Sequence, residues 1–399
     1  MAGSAVSSSP GAAFTRRLVR LDWVLMAAVL ALVVLSALLV WSATAHRDSL
    51  TGGDSTAYLR RQVLNIVIGL GLLAVVVSTD HRWVRIMTPV VYGASVLGLV
   101  LVLVMGSTIN GSRSWLDFGP LSIQPSEFAK LAVVVGMALV LAERAEGRWR
   151  ARVGVGDLAA MLAVAAVPAV LIIAQPDLGT MLVLTATVFG VLAAAGTPRR
   201  WLGVLALGGV AAAAAVVDGG LLKEYQIHRF MAFTDPSLDP SGAGYNVQQA
   251  RIAIGDGGIF GQGLFSGSQT RAGFVPEQHT DFIFTVVGEE LGLVGSVVVI
   301  GLLVVVLWRA LRIAARTDDL YGRVAAAGIA CWFGFQAFQN IGMCLGIMPV
   351  TGVPLPFLSY GGSSMFASML AIGLLQNIHA RATAPAAVRR AAGSALAVR

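Results

Sequence analysis

Long apolar segments, separated by short charged or Gly/Pro-rich breaks, follow one another along nearly the whole chain. A helix of about 20 apolar residues is long enough to cross the hydrocarbon core of a bilayer. The pattern predicts ten such helices, at residues 23–43, 62–78, 84–106, 125–142, 157–175, 178–196, 201–217, 281–308, 323–347 and 360–377. The expected fold is therefore an all-α polytopic membrane protein with ten transmembrane helices.

Composition supports this fold and excludes two classes of protein. Charged residues are 12% of the 399 residues and hydrophobic residues are 56%. A soluble protein has about 25% charged residues, so this chain carries too little charge to cover a water-soluble globule. The net charge is +7, but no basic cluster is interleaved with aromatic residues, which argues against nucleic-acid binding. The sequence also has no cluster of Cys and His at metal-ligand spacing, so we predict no metal site.

The arginines predict how the chain is oriented in the membrane. They are concentrated in alternate loops, for example at Arg16, Arg17 and Arg20 and again within 144–152. Because cytoplasmic loops carry the excess of positive charge, both termini are predicted to be cytoplasmic. Residues 1–15 are expected to be a disordered N-terminus, residues 16–379 the membrane domain, and residues 380–399 a cytoplasmic tail.

The outer loops have the composition of a binding site. Residues 218–280, between the seventh and eighth predicted helices, are rich in Gly, Asp, Pro and Gln and are far longer than a helix connection requires. Two shorter outer segments, 107–124 and 348–359, are also Gly/Pro-rich and polar. Loops on a rigid bundle commonly carry function, so we expect the site on the outer side.

Asp281 is predicted to be the first residue of the eighth helix, at the outer membrane boundary. A carboxylate there can cap the helix, because the free N–H groups and the helix dipole favour negative charge. Alternatively, Asp281 faces an outer cavity, where partial desolvation raises its basicity and makes it a general base. The residues alone leave both interpretations open.

Glu127 and Lys130 lie inside the fourth predicted helix, where an isolated charge is costly. Their i, i+3 spacing places them on one helical face, so that they can neutralise each other. One interpretation is a structural ion pair that locks helices together. The other is a regulatory pair that lines a cavity and responds to a partner.

Two Gly-rich segments complete the unusual features. The run at 255–263 has neither the dinucleotide nor the Walker spacing, so turn glycines in a re-entrant or amphipathic segment are favoured over a phosphate loop. The run at 349–364 contains three prolines before the last helix. Irregular backbone at membrane depth must be covered by protein or line a cavity, so both a ligand site and a rigid re-entrant turn fit.

Four polar motifs occur in the order and at the spacing of one membrane-protein family. They are Gln-Pro-Ser-Glu at 124–127 followed by Lys130, Gln-Pro-Asp-Leu-Gly-Thr at 175–180, and the runs at 276–284 and 351–364. Together they resemble the SEDS family (shape, elongation, division and sporulation) over about residues 20–378. The sequence at 351–356, Thr-Gly-Val-Pro-Leu-Pro, resembles the elongation branch of the family more than the division branch.

The resemblance implies a peptidoglycan glycosyltransferase in the bacterial plasma membrane. Such proteins polymerise lipid II, an undecaprenyl-pyrophosphate-linked disaccharide-pentapeptide, on the outer face of the membrane. The resemblance makes Asp281 the essential acid, acting as general base on the acceptor sugar in an inverting reaction. It places Glu127 and Lys130 near the contact with an activating class B penicillin-binding protein. No organic cofactor is implied, and a divalent cation at the pyrophosphate is left open.

The substrate contacts are expected among polar residues of the outer loops. The candidates are Arg113, Arg229, Arg251, Arg271, Glu277, His279, Ser359 and Ser363, of which the arginines suit bidentate binding of pyrophosphate. Many members of the family have a basic residue directly before the tryptophan that follows Asn-Gly. Here Ser114 occupies that place, so the role of the cation passes to Arg113.

Two other functions compete with the enzyme. A lipid II flippase is expected to show paired broken helices in two repeat halves, with polar residues near mid-membrane. The sequence has no such inverted repeat, and its polar residues are concentrated in the outer loops. A non-catalytic scaffold for a transpeptidase leaves Asp281 and the long outer loop without a chemical purpose.

Overall fold

The computed structural model of the chain describes residues 20–109, 112–118, 121–145, 153–220, 227, 239 and 242–383. A helix overlaps each of the predicted apolar segments. The helices are α1 (Trp23–Ala45), α2 (Asp48–Thr51), α3 (Ala57–Ser78), α4 (His81–Met105), α5 (Pro125–Ala145), α6 (Val155–Ala174), α7 (Leu178–Ala194), α8 (Arg199–Asp218), α9 (Ala243–Asp256), α10 (Ser268–Ala272), α11 (Ile283–Arg316), α12 (Leu320–Leu345) and α13 (Gly362–Ala382). The predicted N-terminal segment 1–15 and nearly all of the predicted tail lie outside the described residues.

Seven of these helices are long and apolar enough to cross a membrane: α1, α3, α4, α5, α6, α8 and α11. Helix α7 is apolar but shorter. Helices α12 and α13 carry several amide side chains, including Gln336 and Gln376, that are buried inside the protein. The multi-pass helical membrane fold is thus confirmed, whereas the count of ten crossings stays a prediction.

Helix α5 forms the centre of the bundle. Every residue from 129 to 139 is buried, and the helix packs against α4, α6 and α12. By contrast, no side chain along the fully described helix α8 is buried in the protein. A helix that is apolar on all sides and covered on none suits contact with lipid.

The expectation of an all-α protein is wrong in one loop. Between α4 and α5, the strands β1 (Ser107–Ile109), β2 (Ser112–Phe118) and β3 (Leu121–Ile123) form an antiparallel sheet in the order β1-β2-β3. Ser107 pairs with Trp115, and Leu116 pairs with Ile123. Successive side chains of a strand point to opposite faces, so Ser112 and Ser114 share one face and Arg113 lies on the other.

Helix α11 is broken at Gly292, whose backbone lies at φ 66° and ψ −162°. A break at membrane depth frees backbone groups that need new partners. Residues of the outer segment supply them. The N–H of Leu293 donates to the Gly258 carbonyl at 2.9 Å, and the N–H of Gln262 donates to the Glu289 carbonyl at 2.9 Å.

The Gly-rich run at 255–263 therefore has a packing role. A Cβ on Gly257 would lie 1.9 Å from the Gly288 carbonyl oxygen, and one on Gly261 would lie 2.2 Å from the Glu290 carbonyl oxygen. Only glycine permits so close an approach of two backbones. This arrangement agrees with turn glycines in a re-entrant segment rather than with a phosphate loop.

Candidate active site

A cavity of about 260 Å³ lies where the four sequence motifs meet. Helices α5, α7, α11 and α13 all begin beside it, so it lies at one end of the bundle. All four motifs and strand β2 contribute lining residues. The motifs supply Gln124, Asp177, Glu277, Thr280, Asp281, Thr351, Tyr360, Ser363 and Ser364, and β2 supplies Ser112, Ser114 and Trp115. Segments that are far apart in sequence thus form one polar site.

Asp281 lines this cavity and is partly buried. It precedes the helix instead of starting it, because α11 begins at Ile283 and Phe282 occupies the N-cap position. A tight turn places Asp281 there, since the N–H groups of residues 280, 281 and 282 all donate to the Glu277 carbonyl at 3.1–3.2 Å. Gly352 lies directly beside the carboxylate, since a Cβ on this glycine would be 3.1 Å from Asp281 Oδ2.

Buried amide groups of α12 hold the irregular segment 349–355 in place. Asn340 Nδ2 donates to the carbonyls of Asp281 at 2.6 Å and of Val353 at 2.8 Å. Gln336 donates to the Pro354 carbonyl at 2.8 Å, and Gln339 donates to Thr351 Oγ1 at 3.1 Å. The segment is consequently both a rigid turn and part of the cavity wall.

The wall on the side of α5 and α7 contains a second carboxylate. Asp177 Oδ1 accepts from the Thr180 N–H at 2.9 Å and so caps α7. Its other oxygen accepts from Gln124 Nε2 at 3.3 Å, and the backbone N–H of Gln124 donates to Ser363 Oγ at 2.9 Å. Gln124 and Asp177 belong to two of the four motifs, but they are not among the site residues predicted from the sequence. Their place at the polar end of an apolar segment was the available signal.

Glu127 and Lys130 form the predicted ion pair inside the protein. The Lys130 ammonium donates to Glu127 Oε1 at 2.7 Å and to Gln336 Oε1 at 2.7 Å, and both charged residues are buried. Trp332 Nε1 donates to the same Gln336 oxygen at 2.7 Å. The pair thus locks α5 to α12, as the structural interpretation expects. Neither residue lines the cavity among the described side chains.

The predicted polar contacts divide into two groups. Glu277 and Ser363 line the cavity. Ser359 instead closes a turn, since its Oγ accepts from the Leu355 N–H at 2.7 Å. The buried ring of His279 packs against Tyr58 at 5.0 Å and Tyr360 at 5.6 Å between centroids, behind the wall that Tyr360 contributes. This burial lowers the pKa of His279 to about 4, so the ring is neutral at pH 7.

The predicted arginine clamp is not assembled at the cavity. Arg229 lies outside the described residues, and of the three arginines that are described none lines the cavity. Arg113 donates to the Gly106 and Val104 carbonyls at 2.8 and 2.9 Å, and Arg251 donates to the Leu345 and Gly346 carbonyls at 3.0 Å each. Arg271 is exposed on α10. Ser114, which lines the cavity, occupies the position for which the family resemblance implies a cation.

Acidic side chains line the cavity without forming a metal cluster. Asp177, Glu277 and Asp281 contribute to its wall. Within the described ranges, no group of three or more His, Cys, Asp or Glu side chains is arranged to hold a metal ion.

The fold and the cavity together define a multi-pass helical membrane protein with an acid-lined polar site at one end of its bundle. The chain belongs to the FtsW, RodA and SpoVE family of cell cycle proteins, whose profile matches residues 22–384. The resemblance stated from the four motifs is thereby confirmed.

Relatives and solved structures agree with this membership. The peptidoglycan glycosyltransferase MrdB of Escherichia coli K12 is 38% identical over 361 residues, which cover 90% of this chain and 94% of MrdB. Stage V sporulation protein E of Bacillus subtilis is 36% identical over 361 residues, covering 90% and 96% of the two chains.

Two solved structures share the fold over almost their whole length. A chain of a peptidoglycan synthase complex, solved to explain the coordination of polymerization and crosslinking, matches with a TM-score of 0.75 and 35% identity, covering 92% of this chain and 99% of that one. The rod shape determining protein RodA of Thermus thermophilus matches with a TM-score of 0.66 and 33% identity, covering 92% and 98%.

Proposed function

We propose that this chain is a peptidoglycan glycosyltransferase that polymerises lipid II during cell elongation, with Asp281 as its general base. The observation that carries the proposal is the position of Asp281 in the wall of a cavity built from all four family motifs. A relative at 38% identity is named a peptidoglycan glycosyltransferase. The resemblance of residues 351–356 to the elongation branch of the family supports the part of the proposal that concerns cell elongation.

The proposed reaction forms one bond and breaks one bond. Asp281 takes the proton of the acceptor sugar hydroxyl while that oxygen attacks the anomeric carbon of the donor. The bond from the anomeric carbon to the pyrophosphate oxygen breaks, and its electron pair leaves with the undecaprenyl pyrophosphate. Attack opposite the leaving group inverts the anomeric centre.

The leaving pyrophosphate needs stabilisation that the described arginines do not give from the cavity wall. Four helices begin at the cavity, and helix N-termini carry partial positive charge and free N–H groups. In our proposal these helix ends take the part that the predicted clamp of Arg113, Arg229, Arg251 and Arg271 assigns to the three arginines that the structure describes. A divalent cation that arrives with the pyrophosphate would assist, and loss of polymer on chelation with recovery on adding Mg²⁺ or Mn²⁺ tests this.

The proposed topology has ten crossings, both termini in the cytoplasm and the cavity facing outward. The helices that begin at the cavity are the fourth, sixth, eighth and tenth of the predicted crossings, so they share one direction across the membrane. Arg309 and Arg316, at the other end of α11, lie on the proposed cytoplasmic side. Reporter fusions after residues 145 and 383 test the orientation. At both positions we expect activity from a reporter that works only in the cytoplasm and none from a reporter that works only outside it.

The proposed partner is a class B penicillin-binding protein that supplies transpeptidation. The support is the similarity to a chain from a peptidoglycan synthase complex that couples polymerization to crosslinking. Co-purification of the chain with such a transpeptidase, and faster polymerisation in the complex, are the expected results.

The decisive experiment replaces Asp281 with Asn, which is nearly isosteric and cannot take the proton. The complex is supplied with labelled lipid II, and glycan chains are resolved on a gel. We expect Asp281→Asn to abolish polymer while folding and partner binding persist. The control is Asp256→Asn, an exposed acid of the same outer segment that does not line the cavity.

The outcomes separate the competing functions. Abundant polymer from the Asp281→Asn variant would remove Asp281 from the mechanism. Lipid II translocation in vesicles, with no polymer from the unaltered complex, would favour a flippase. If the chain stimulates crosslinking by the transpeptidase but neither polymerises nor translocates lipid II, a scaffold would be favoured.

A further inference from the structure

The tip of the Gly-rich outer segment exposes two large apolar side chains. Phe260 is 82% exposed and Ile259 is 61% exposed. Phe260 is the most exposed large apolar side chain of the residues that the structure describes. Neighbouring hydrophobic residues so fully exposed indicate a contact surface rather than a solvated turn.

This tip is hydrogen-bonded to the broken helix α11. The carbonyl of Ile259 accepts from the Val294 N–H at 3.0 Å, and the carbonyl of Gly258 accepts from the Leu293 N–H at 2.9 Å. Leu293 is 59% exposed and begins the apolar outer face of the part of α11 that follows the break. The tip therefore lies at the same level as the first exposed turn of a membrane-crossing helix.

A second link attaches the same segment to α12. Arg251, on α9, donates to the carbonyls of Leu345 and Gly346 at the end of α12. Its neighbour Ile252 is partly exposed, as are Leu345 and Ile347. Exposed apolar residues thus accompany the outer segment at both places where it meets the ends of membrane helices.

The backbone of the tip is held rigidly. Gly261 lies at φ 80°, and its N–H donates to the Gly257 carbonyl at 2.8 Å. The N–H groups of Gln262 and Gly263 donate to the carbonyls of Glu289 at 2.9 Å and Glu290 at 3.0 Å, and these bonds hold the run against α11. A fixed turn presents Ile259 and Phe260 without a further loss of backbone entropy.

We propose that Ile259 and Phe260 insert into the bilayer leaflet on the cavity side, with lipid acyl chains as their partner. Apolar side chains level with the exposed face of a membrane helix are buried by lipid, which removes their area from water. The insertion anchors the long outer segment to the membrane surface beside the site. The proposal requires that α11 crosses the membrane and does not depend on glycosyl transfer, although the outer leaflet follows from the proposed orientation.

The test places a fluorescent label on cysteine at position 260 of the full chain in nanodiscs. The Phe260→Cys variant is compared with Gln262→Cys, an exposed polar position two residues away. The unaltered chain reports any labelling of Cys331 and Cys344. Quenching is measured with nitroxide-bearing lipids and with aqueous iodide.

Quenching by lipid nitroxides should be several-fold stronger at position 260 than at 262, and quenching by iodide should show the opposite order. Equal quenching of the two labels by both agents would overturn the proposal. So would shielding of position 260 that occurs only when the partner transpeptidase is added, because the surface would then be a protein contact. Neither failure bears on Asp281, whose test is glycan polymerisation.

Discussion

The side-chain amide of Asn340 donates to the backbone carbonyl of Asp281 at 2.6 Å and to that of Val353 at 2.8 Å. One buried residue of α12 therefore joins the turn that carries the proposed base to the irregular segment 349–355, which also lines the cavity. Its amide orientation follows from chemistry, because both partners are acceptors and only the NH₂ group can serve them.

We predict that Asn340→Ala lowers polymerisation through kcat more than through KM. The change removes both donors, so the position of Asp281 relaxes while the rest of the cavity remains. Leaving buried carbonyls without donors also costs about 1–3 kcal/mol of stability. Initial rates over a range of lipid II concentrations, together with thermal unfolding, measure the two effects.

Asn377→Ala is the matched control for this variant. Asn377 is also a buried amide that donates to two carbonyls, those of Val76 and Thr79, but it does not line the cavity. A similar loss of thermal stability with polymerisation retained is expected. If the two alanine variants lose activity equally, Asn340 has only a structural role.

Lys130→Met is predicted to destabilise the protein by about 3–5 kcal/mol, because it leaves the buried carboxylate of Glu127 without its ammonium partner. Adding Glu127→Gln removes that charge and should recover much of the stability. Thermal unfolding in detergent compares the single and double variants. Recovery of stability without recovery of activation by the transpeptidase would give the pair a regulatory role beyond the lock between helices.

Acidic pH should destabilise the protein through His279. Its folded pKa of about 4 is below the ordinary value of 6.5, so the unfolded chain binds the proton more readily between these values. The contribution is fully present above about pH 6.5 and is lost as the pH falls toward 4; it is at most about 3 kcal/mol. Unfolding between pH 4 and 7.5 should show a steeper loss for the unaltered chain than for His279→Phe. Parallel curves would contradict this assignment.

Gly257→Ala is expected to destabilise the outer segment, since its Cβ would collide with the Gly288 carbonyl at 1.9 Å. Gly255→Ala is the control, because a Cβ there meets nothing within 4 Å and the residue lies within α9. Alanine is a better helix former than glycine, and Gly255 lies in the last turn of α9, so the control should be neutral or slightly stabilising. Hydrogen exchange of residues 257–263 and 288–294 reports the difference, and equal protection in both variants would contradict it.

The helices could be predicted because runs of apolar residues long enough to cross a bilayer have few alternatives. The sheet at 107–123 was missed because β1 and β3 have only three residues each, and the seven residues of β2 do not alternate between apolar and polar. The polar motifs could be expected to meet at one cavity, because they mark the ends of apolar segments and those ends lie together at one end of the bundle. The i, i+3 spacing of Glu127 and Lys130 predicted their ion pair. It could not predict that Lys130 also donates to Gln336 on α12.

Side-chain direction limited the remaining predictions. Arg113 and Ser114 are adjacent in sequence, yet strand geometry sends them to opposite faces, and only Ser114 of the two lines the cavity. Asn340 was overlooked as one amide within an apolar segment. The cost of polar groups inside a membrane was the signal that could have singled it out together with Gln336 and Gln339.

The backbones of 257–263 and 288–292 pack so closely that the sequences of the two stretches must match each other. In a chimera between relatives, either stretch on its own would meet a foreign partner, with a new Cβ against a carbonyl or a helix break without donors. Swapped sequences in this part of the chain should therefore be tolerated only when both stretches are transplanted together.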